Sequence, residues 1–238
     1  MLFRSYKKTF SEYRISHYLH VNNSENSLNN IEQIIKNYGM GSLKPNTIVL
    51  PLQPNFVSSP SFGPFLKNIS SSEKNVLFCK FDPKDSRLYS EDSITPKQIH
   101  LWWRGGNQNT FELTLALSCT LRRNPIWAKS IICVKSLVAD IAEEKKLRAV
   151  FSRYQSKLRI RNLDFEAIID PNKNFFDSLT TSSQQADFVF LGLRPIGLEE
   201  SADEYKAYFN TFMHKIEFLR NCCFAISDEN LKFERIFV

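Results

Sequence analysis

Apolar residues recur along the chain in two alternating patterns, one typical of buried strands and the other of amphipathic helices. Strand-like segments are short runs of β-branched, aromatic and leucine side chains, whereas helix-like segments place apolar residues three and four positions apart. The predicted strands cover residues 13–21, 47–52, 76–81, 99–103, 130–137, 163–169, 187–191 and 222–226. The predicted helices cover residues 24–37, 62–69, 110–123, 139–158 and 199–219, with a short helix or loop at 175–183.

This alternation predicts the fold class. Strands that are apolar along their whole length are typical of a parallel sheet with helices on both faces. Right-handed crossover connections then give a layered, Rossmann-like α/β fold. The polar segment 82–97, which contains Pro83 and Pro96, is long for a plain connection inside a domain. We therefore predict two α/β lobes with mainly parallel sheets, residues 1–90 and 91–238, that meet in this segment.

Composition narrows the class of protein further. The 238 residues are 42% hydrophobic and 24% charged, which is ordinary for a globular chain and sufficient for a core without disulfides or metals. The five cysteines are odd in number and contain no C-x-x-C pair, so we predict reduced, buried side chains. Histidines and cysteines do not cluster at ligand spacing. We predict no metal site and no cofactor.

Charge and hydropathy bear on location and partners. The longest uncharged stretch is interrupted by prolines, and no long apolar region follows the basic residues at the start of the chain. The sequence therefore predicts a soluble, cytoplasmic chain. A net charge of +6 favours acidic partners or an anionic membrane surface. Because the basic residues form no long stripe, we do not expect nucleic-acid binding.

The most unusual segment for chemistry follows the strand at 99–103. Gly105, Gly106 and Asn107 lie between that strand and a helix, where backbone N–H groups can bind an anion. Neither G-x-G-x-x-G nor a P-loop motif is present, so the signal is weak, and the alternative is a tight turn with Trp102 and Trp103 on opposite faces of the sheet. No nucleophile motif or acid–base pair occurs. We predict no catalytic residues and no enzyme activity.

A second distinctive segment lies at residues 38–52. Gly39 and Gly41 are suited to end a helix, because glycine readily adopts the left-handed backbone found there. Pro45 cannot continue a helix, and Asn46 can bond to nearby backbone before the next strand. From the residues alone, this segment is an ordinary helix-to-strand connection.

Three segments together resemble the C-terminal cytosolic domain of cation-chloride cotransporters and their prokaryotic relatives, in the amino acid-polyamine-organocation superfamily. Residues 39–47 resemble that family's G-x-G-x-L-x-P-N stretch, and residues 99–127 resemble its I-D-x-W-W segment with the following glycines, helix and tryptophan. Residues 186–195 are similar to its A-D-x-V-x-L-G-L strand. The positions that carry the resemblance are Gly39, Gly41, Pro45, Asn46, Trp102, Trp103, Asp187 and Gly192.

The resemblance implies two lobes related to the universal-stress-protein fold, a place on the cytoplasmic side of a twelve-helix transporter, dimer formation and regulation of transport. Two positions depart from the family pattern. His100 stands where the family usually has an acidic residue, and Pro51 stands where it often has glycine. The transporter membrane domain and a second copy of the chain are therefore the implied partners.

Two hypotheses of function follow. The first is a non-catalytic regulatory and dimerisation domain of a secondary transporter, and the alternative is a free-standing nucleotide-binding protein of the universal-stress type. A small-molecule α/β enzyme is a third and weaker hypothesis, because no catalytic constellation is present.

The helix at 199–219 is apolar over a broad arc, and any part of this arc left uncovered by the sheet is suited to a symmetric dimer contact. The arc contains Tyr205, Tyr208, Phe209, Phe212, Ile216 and Leu219.

Overall fold

Seven strands and seven α-helices alternate along the part of the chain that the computed structural model describes, namely residues 28–39, 45–52, 54–85, 88, 90, 95–104, 108–158, 160, 162–197 and 199–228. The strands are β1 (Thr47–Pro51), β2 (Asn75–Lys80), β3 (Gln98–Trp102), β4 (Ile131–Val138), β5 (Leu163–Ile169), β6 (Phe188–Gly192) and β7 (Cys222–Ile226). The helices are α1 (Leu28–Asn37), α2 (Pro54–Ser58), α3 (Phe62–Ser70), α4 (Gln108–Leu121), α5 (Ile141–Leu158), α6 (Phe175–Ser183) and α7 (Ala202–Lys215), with a 3₁₀ turn at Pro125–Trp127.

The strands form one sheet in the order β1-β2-β7-β6-β3-β4-β5. Every neighbouring pair is parallel except β2 and β7, which are antiparallel and pair Phe78 with Phe224. The sheet therefore contains a block of two strands and a block of five strands that run in opposite directions. The prediction of an α/β fold with a mainly parallel sheet is confirmed.

Strands from both predicted lobes lie in this single sheet, which corrects the expectation of separate sheets. Residues 76–79 of β2 are buried, and β2 pairs with β1 on one side and with β7 on the other. An apolar run of residues carries no information about the strand with which it pairs. The sequence pattern therefore could not predict the pairing of β2 with β7. The division at residues 1–90 and 91–238 stays a prediction about separable units.

Most of the predicted helix and strand bounds lie within three residues of the observed ones. The strand predicted at 13–21 lies outside the described residues. The helix predicted at 199–219 is shorter at both ends. It begins after Ser201, whose hydroxyl accepts a hydrogen bond from the Glu204 backbone N–H at 3.2 Å while the Glu204 carboxylate accepts from the Ser201 N–H. This capping box fixes the first turn of α7. The short helix α2 was missed, although Pro54 at its first position is a known helix-start signal.

Buried side chains form one apolar layer on each face of the sheet. On one face, Phe62 of α3, Phe78 of β2 and Phe209 of α7 meet with ring centroids 5.1–6.5 Å apart. The other layer packs α4 and α5 against the sheet. Trp102 belongs to the first layer and Trp103 to the second, so the two indoles lie on opposite faces as the alternation predicted.

The apolar arc formed by α7 and the following turn is buried within the molecule. It therefore gives no support for a dimer contact on this helix. Tyr205, Phe209, Phe212, Ile216 and Leu219 are each at most 3% exposed, because the arc packs on the sheet and on α3. Tyr208 remains half-buried. The arc therefore covers the sheet, and among its six residues only Tyr208 is left partly exposed.

Two further expectations concern the membrane and the cysteines. Within the described ranges, none of the helices combines the length and the apolar composition that crossing a bilayer requires. The five cysteines are free thiols, of which Cys79, Cys222 and Cys223 are buried and Cys119 and Cys133 are half-buried.

Close packing of α3 on α7 depends on a residue without a side chain. A Cβ atom at Gly63 would lie 2.6 Å from the backbone oxygen of Ala202. We therefore expect Gly63→Ala to lower the free energy of unfolding by about 1–3 kcal/mol through overpacking. The better helix propensity of alanine offsets about 1 kcal/mol of this at most. Urea denaturation followed by circular dichroism measures the change.

Gly197→Ala is the matched control, because its Cβ would meet its nearest neighbour, the Cβ of Glu200, at an ordinary 3.4 Å. We expect this variant to change stability by less than about 0.5 kcal/mol. Equal stability of the two variants would contradict the packing of α3 on α7.

Candidate functional site

The order in which the chain adds strands to the sheet changes direction between the neighbouring strands β3 and β6. From β3 the chain passes through α4 to β4 on one side, whereas from β6 it passes through α7 to β7 on the other. In open α/β sheets, a crevice forms at such a switch point, beyond the carboxyl ends of the two strands. This edge is therefore the first place to look for a ligand site.

A cavity of about 250 Å³ occupies this position. Its lining comes from the end of β3 (residues 102–104), the end of β6 (residues 191–195), the first turns of α4, and Phe175 at the start of α6. Because α4 and α6 lie on opposite faces of the sheet, the cavity extends across the sheet edge between two helices. Its walls are mainly aromatic and aliphatic.

Gly192 allows α4 to approach the end of β6. A Cβ atom at this glycine would lie 3.0 Å from Cγ2 of Thr110, which is closer than nearly all ordinary contacts. Thr110 is in turn held by a hydrogen bond of 2.7 Å between its hydroxyl and that of Ser227, just after β7. The glycine of the A-D-x-V-x-L-G-L stretch therefore has a packing role beside the cavity.

Arg104 contributes a positive charge to the cavity. Its guanidinium lies over the ring of Phe175, 4.0 Å from the ring centroid, in a cation–π contact. No carboxylate of the described residues lies within ion-pair distance of this guanidinium. Desolvation lowers the pKa of Arg104 below its usual value, although an arginine stays protonated at neutral pH.

Arg194, on the same cavity wall, has its charge neutralised by Glu200. The two side chains form a bidentate ion pair with N–O distances of 2.5 and 2.6 Å. The hydrogen bonds from Arg194 and from the Gly197 backbone N–H hold the pKa of Glu200 at about 2. Arg194 also lies over the ring of Tyr208, 4.2 Å from its centroid.

Trp103 lines the cavity and has a buried hydrogen-bond donor without a partner. Its ring stacks on Phe111 with centroids 4.5 Å apart, and the residue is 7% exposed. Its Nε1–H is buried and has no hydrogen-bond partner. Such a group is uncommon, because an unpaired buried donor loses its hydrogen bonds to water without replacement.

Trp102, by contrast, is fully satisfied through a buried network. Its Nε1–H donates to the Ser183 hydroxyl oxygen at 2.9 Å, and the same oxygen lies 2.9 Å from Nδ1 of His100. An indole nitrogen can only donate, so the Ser183 hydroxyl hydrogen is available to Nδ1 of a neutral imidazole. Burial, together with the nearby Lys135 ammonium, lowers the pKa of His100 to about 4, which keeps the ring neutral. His100, the departure from the family pattern, is thus a buried structural residue.

The motif residues Pro45 and Asn46 lie at the same sheet edge as the cavity. Because β1 and β2 run opposite to the other strands, the amino end of β1 meets the carboxyl ends of β7, β6 and β3. The Asn46 carbonyl accepts from the Asn75 backbone N–H at 2.9 Å, and the Asn75 side chain accepts from the Asp228 N–H at 3.1 Å. Three strand spacings, about 14 Å, separate β1 from β6.

Asp187 lies at the opposite edge of the sheet. Its carboxylate accepts a hydrogen bond from the Gln98 backbone N–H at 2.8 Å, and its own N–H donates to the Gln98 carbonyl. The aspartate therefore joins the starts of β3 and β6. This contact gives the A-D dipeptide a structural role.

The remaining predicted positions are distributed as follows. Gly39 has a φ of 112° directly after α1, in the left-handed region that favours glycine. Gly41 and the weak anion-loop candidates Gly105, Gly106 and Asn107 lie outside the described residues, so that loop stays a prediction. Sequence reasoning missed Arg104 and Phe175 as cavity residues. An arginine directly after a buried strand was the available signal for the first of them.

Comparison with known proteins bears on the fold. No known protein family matches the chain, and no curated protein matches it. Among solved structures, the chain is similar to one described as the crystal structure of the cytoplasmic domain of a prokaryotic cation chloride cotransporter. The TM-score is 0.59 and the sequence identity is 15%, over 88% of this chain and 72% of the other. The expected resemblance is therefore confirmed at the level of the fold.

The Ser183 hydroxyl satisfies two buried ring nitrogens, so its removal has a definite cost. We expect Ser183→Ala to lower the free energy of unfolding by about 1–3 kcal/mol, because Trp102 loses its hydrogen-bond partner. Thr180→Ala, at an exposed position of the same helix, is the control. Chemical denaturation measures both variants, and a Ser183→Ala variant as stable as the control would contradict the network.

The lowered pKa of His100 makes stability depend on pH. Below about pH 6.5 the unfolded chain binds a proton that the folded chain binds only near pH 4, so this histidine reduces stability as the pH falls through that interval. The loss amounts to roughly 3 kcal/mol at most. We expect His100→Asn to show a smaller decrease in the free energy of unfolding between these pH values. Superimposable pH profiles of the variant and the natural chain would refute a neutral, buried His100.

Proposed function

We propose that this chain is the cytoplasmic regulatory and dimerisation domain of a secondary transporter of the cation-chloride cotransporter type. The observation that carries the proposal is the similarity of its fold, over 88% of its length, to the cytoplasmic domain of a prokaryotic cation chloride cotransporter. Three sequence segments that resemble the same family support it independently of the fold.

The structural roles of the motif residues strengthen this proposal. Gly192 admits α4 to the end of β6, Asp187 joins β3 to β6, and Asn46 joins the starts of β1 and β2. These contacts hold the strands of one sheet in register. A cotransporter domain with the same sheet would need the same residue types at these places. The short motifs are therefore expected of two chains that share this fold.

The reactive groups support a role without catalysis. Burial raises the pKa of Cys133 to about 11 and that of Cys222 to about 12, so these thiols are not nucleophilic thiolates at neutral pH. His100 is committed to Ser183, and Glu200 is committed to Arg194. In the described ranges, histidines, cysteines and carboxylates form no group that could hold a metal ion.

A second candidate function is a free-standing ligand-binding protein of the universal-stress type. The cavity at the switch point between β3 and β6 favours it, because ligands of α/β sheets bind at such places. A regulatory domain that binds a small effector is equally compatible with this cavity. The location of the protein in the cell therefore distinguishes a transporter domain from a free-standing ligand-binding protein better than a binding assay does.

The test is to tag the protein at its natural locus and to separate membranes from the soluble fraction. We expect the tagged protein in the membrane fraction, cross-linked to a second copy, since a transporter holds its cytoplasmic domains at high effective concentration. Deletion of the segment encoding this chain should alter chloride-dependent rubidium uptake. A soluble protein whose deletion leaves uptake unchanged would reject the proposal and favour the second candidate.

The purified chain provides a further measurement. We expect reversible dimerisation in analytical ultracentrifugation over a wide concentration range. The apolar arc of α7 is buried inside the molecule and is not free for this contact, so we expect a weak dimer. A strictly monomeric chain even at roughly millimolar concentration would remove the dimerisation role.

A further inference from the structure

We propose that the cavity between β3 and β6 is a binding site for a compact organic anion, specifically a small carboxylate with an aromatic ring. Arg104 would bind the carboxylate, and the aromatic walls, Trp103 among them, would contact the ring. The inference concerns this chain's own side chains, and it does not depend on the proposed transporter function.

The charge of the ligand follows from the two arginines at the cavity. Arg194 already forms a bidentate pair with Glu200, so its positive charge is balanced. Arg104 has no carboxylate partner among the described residues and lies over Phe175. A guanidinium offers parallel N–H donors that match a carboxylate in bidentate geometry. The site therefore has one unbalanced positive charge and suits a ligand with one negative charge.

Trp103 adds an aromatic wall to the site. This side chain is more than nine-tenths buried and lines the cavity, yet its Nε1–H has no hydrogen-bond partner. The neighbouring Trp102 has its Nε1–H fully used by Ser183. Because Nε1 is itself inaccessible, ring carbons of Trp103 form this part of the cavity wall, which suits an aromatic ligand.

The size and the walls of the cavity define the rest of the ligand. A volume of about 250 Å³ is below the range of about 300–1,000 Å³ that is typical of sites for drug-sized ligands. Phe111, Phe175 and Leu191 supply apolar walls on both faces of the sheet edge. A planar ring of six to ten atoms is thus a better fit than a long chain or a sugar.

A nucleoside triphosphate fits this chemistry poorly. It carries several negative charges, and the described residues of the cavity offer a single cation that is not already paired with a carboxylate. It is also larger than the compact ligands that the volume favours. This distinguishes the proposed ligand from the nucleotide expected of a universal-stress-type protein.

The experiment is isothermal titration calorimetry of the purified chain with benzoate, phenylacetate and indole-3-acetate. Phenylacetamide, acetate and ATP are the comparison ligands. We expect saturable binding of at least one aromatic acid, with phenylacetamide and acetate each at least about tenfold weaker, because they lack the charge or the ring. Stronger binding of ATP than of every aromatic acid, or no binding by any of the three acids, would overturn the proposal.

Two variants locate the site. Arg104→Gln should weaken binding of the aromatic acid by roughly ten- to hundredfold, the usual effect of losing hydrogen bonds to a charged group. Arg148→Gln is the matched control, since Arg148 also lies over a phenylalanine ring, that of Phe165, but is outside the cavity. Unchanged affinity in Arg104→Gln, or equal losses in both variants at equal thermal stability, would reject the site.

A spectroscopic readout tests the role of Trp103 directly. In ¹H–¹⁵N correlation spectra, the indole signal of Trp103, assigned with Trp103→Phe, should shift on saturation with the acid because the Trp103 ring lines the cavity. Trp127 lies outside the cavity and serves as the internal reference. Saturable binding that leaves the Trp103 signal in place would refute its part in the site.

Discussion

The antiparallel pairing of β2 with β7 is the constraint on which the arrangement of this protein depends. It places Phe78 opposite Phe224 and Cys79 opposite Cys223, in the middle of a sheet whose other neighbours are all parallel. Strands that are apolar on both faces need a covered position with partners on both sides. The pairing gives β2 and β7 that position, and it also turns the β1–β2 block around relative to the five strands that follow.

This reversal decides what lies at each edge of the sheet. Because β1 and β2 point the other way, Asn46 lies at the edge where β6 and β3 end. There the Asn75 side chain accepts from the Asp228 backbone, while Ser227 bonds to Thr110 beside the cavity. A continuous line of hydrogen bonds thus follows the end of β7 from the first block of strands to the switch point. Had β2 paired in parallel, Asn46 would lie at the opposite edge.

The sequence predicts the elements of this structure better than it predicts their partners. Apolar runs located β2 and β7 to within about one residue, because burial on both faces leaves a composition signal. Pairing is a long-range property, and no local pattern distinguishes a strand that joins two blocks from one that ends a lobe. The same limit applies to the cavity. Trp102 and Trp103 were singled out, but Phe175 is 71 residues from Arg104 along the chain, and only the fold brings them together.

Two arginines at one sheet edge of this protein have different contacts. Glu200 balances Arg194, and the Tyr205 hydroxyl donates to the Arg194 carbonyl at 2.7 Å, so this arginine fastens the segment after β6 to α7. An ion pair that is exposed to solvent adds little stability, but it fixes the geometry of the two side chains. Among the described residues, Arg104 lies over the Phe175 ring and has no carboxylate within ion-pair distance. In the proposed anion site, Arg104 is therefore the arginine that would bind the ligand, whereas Arg194 stays paired with Glu200.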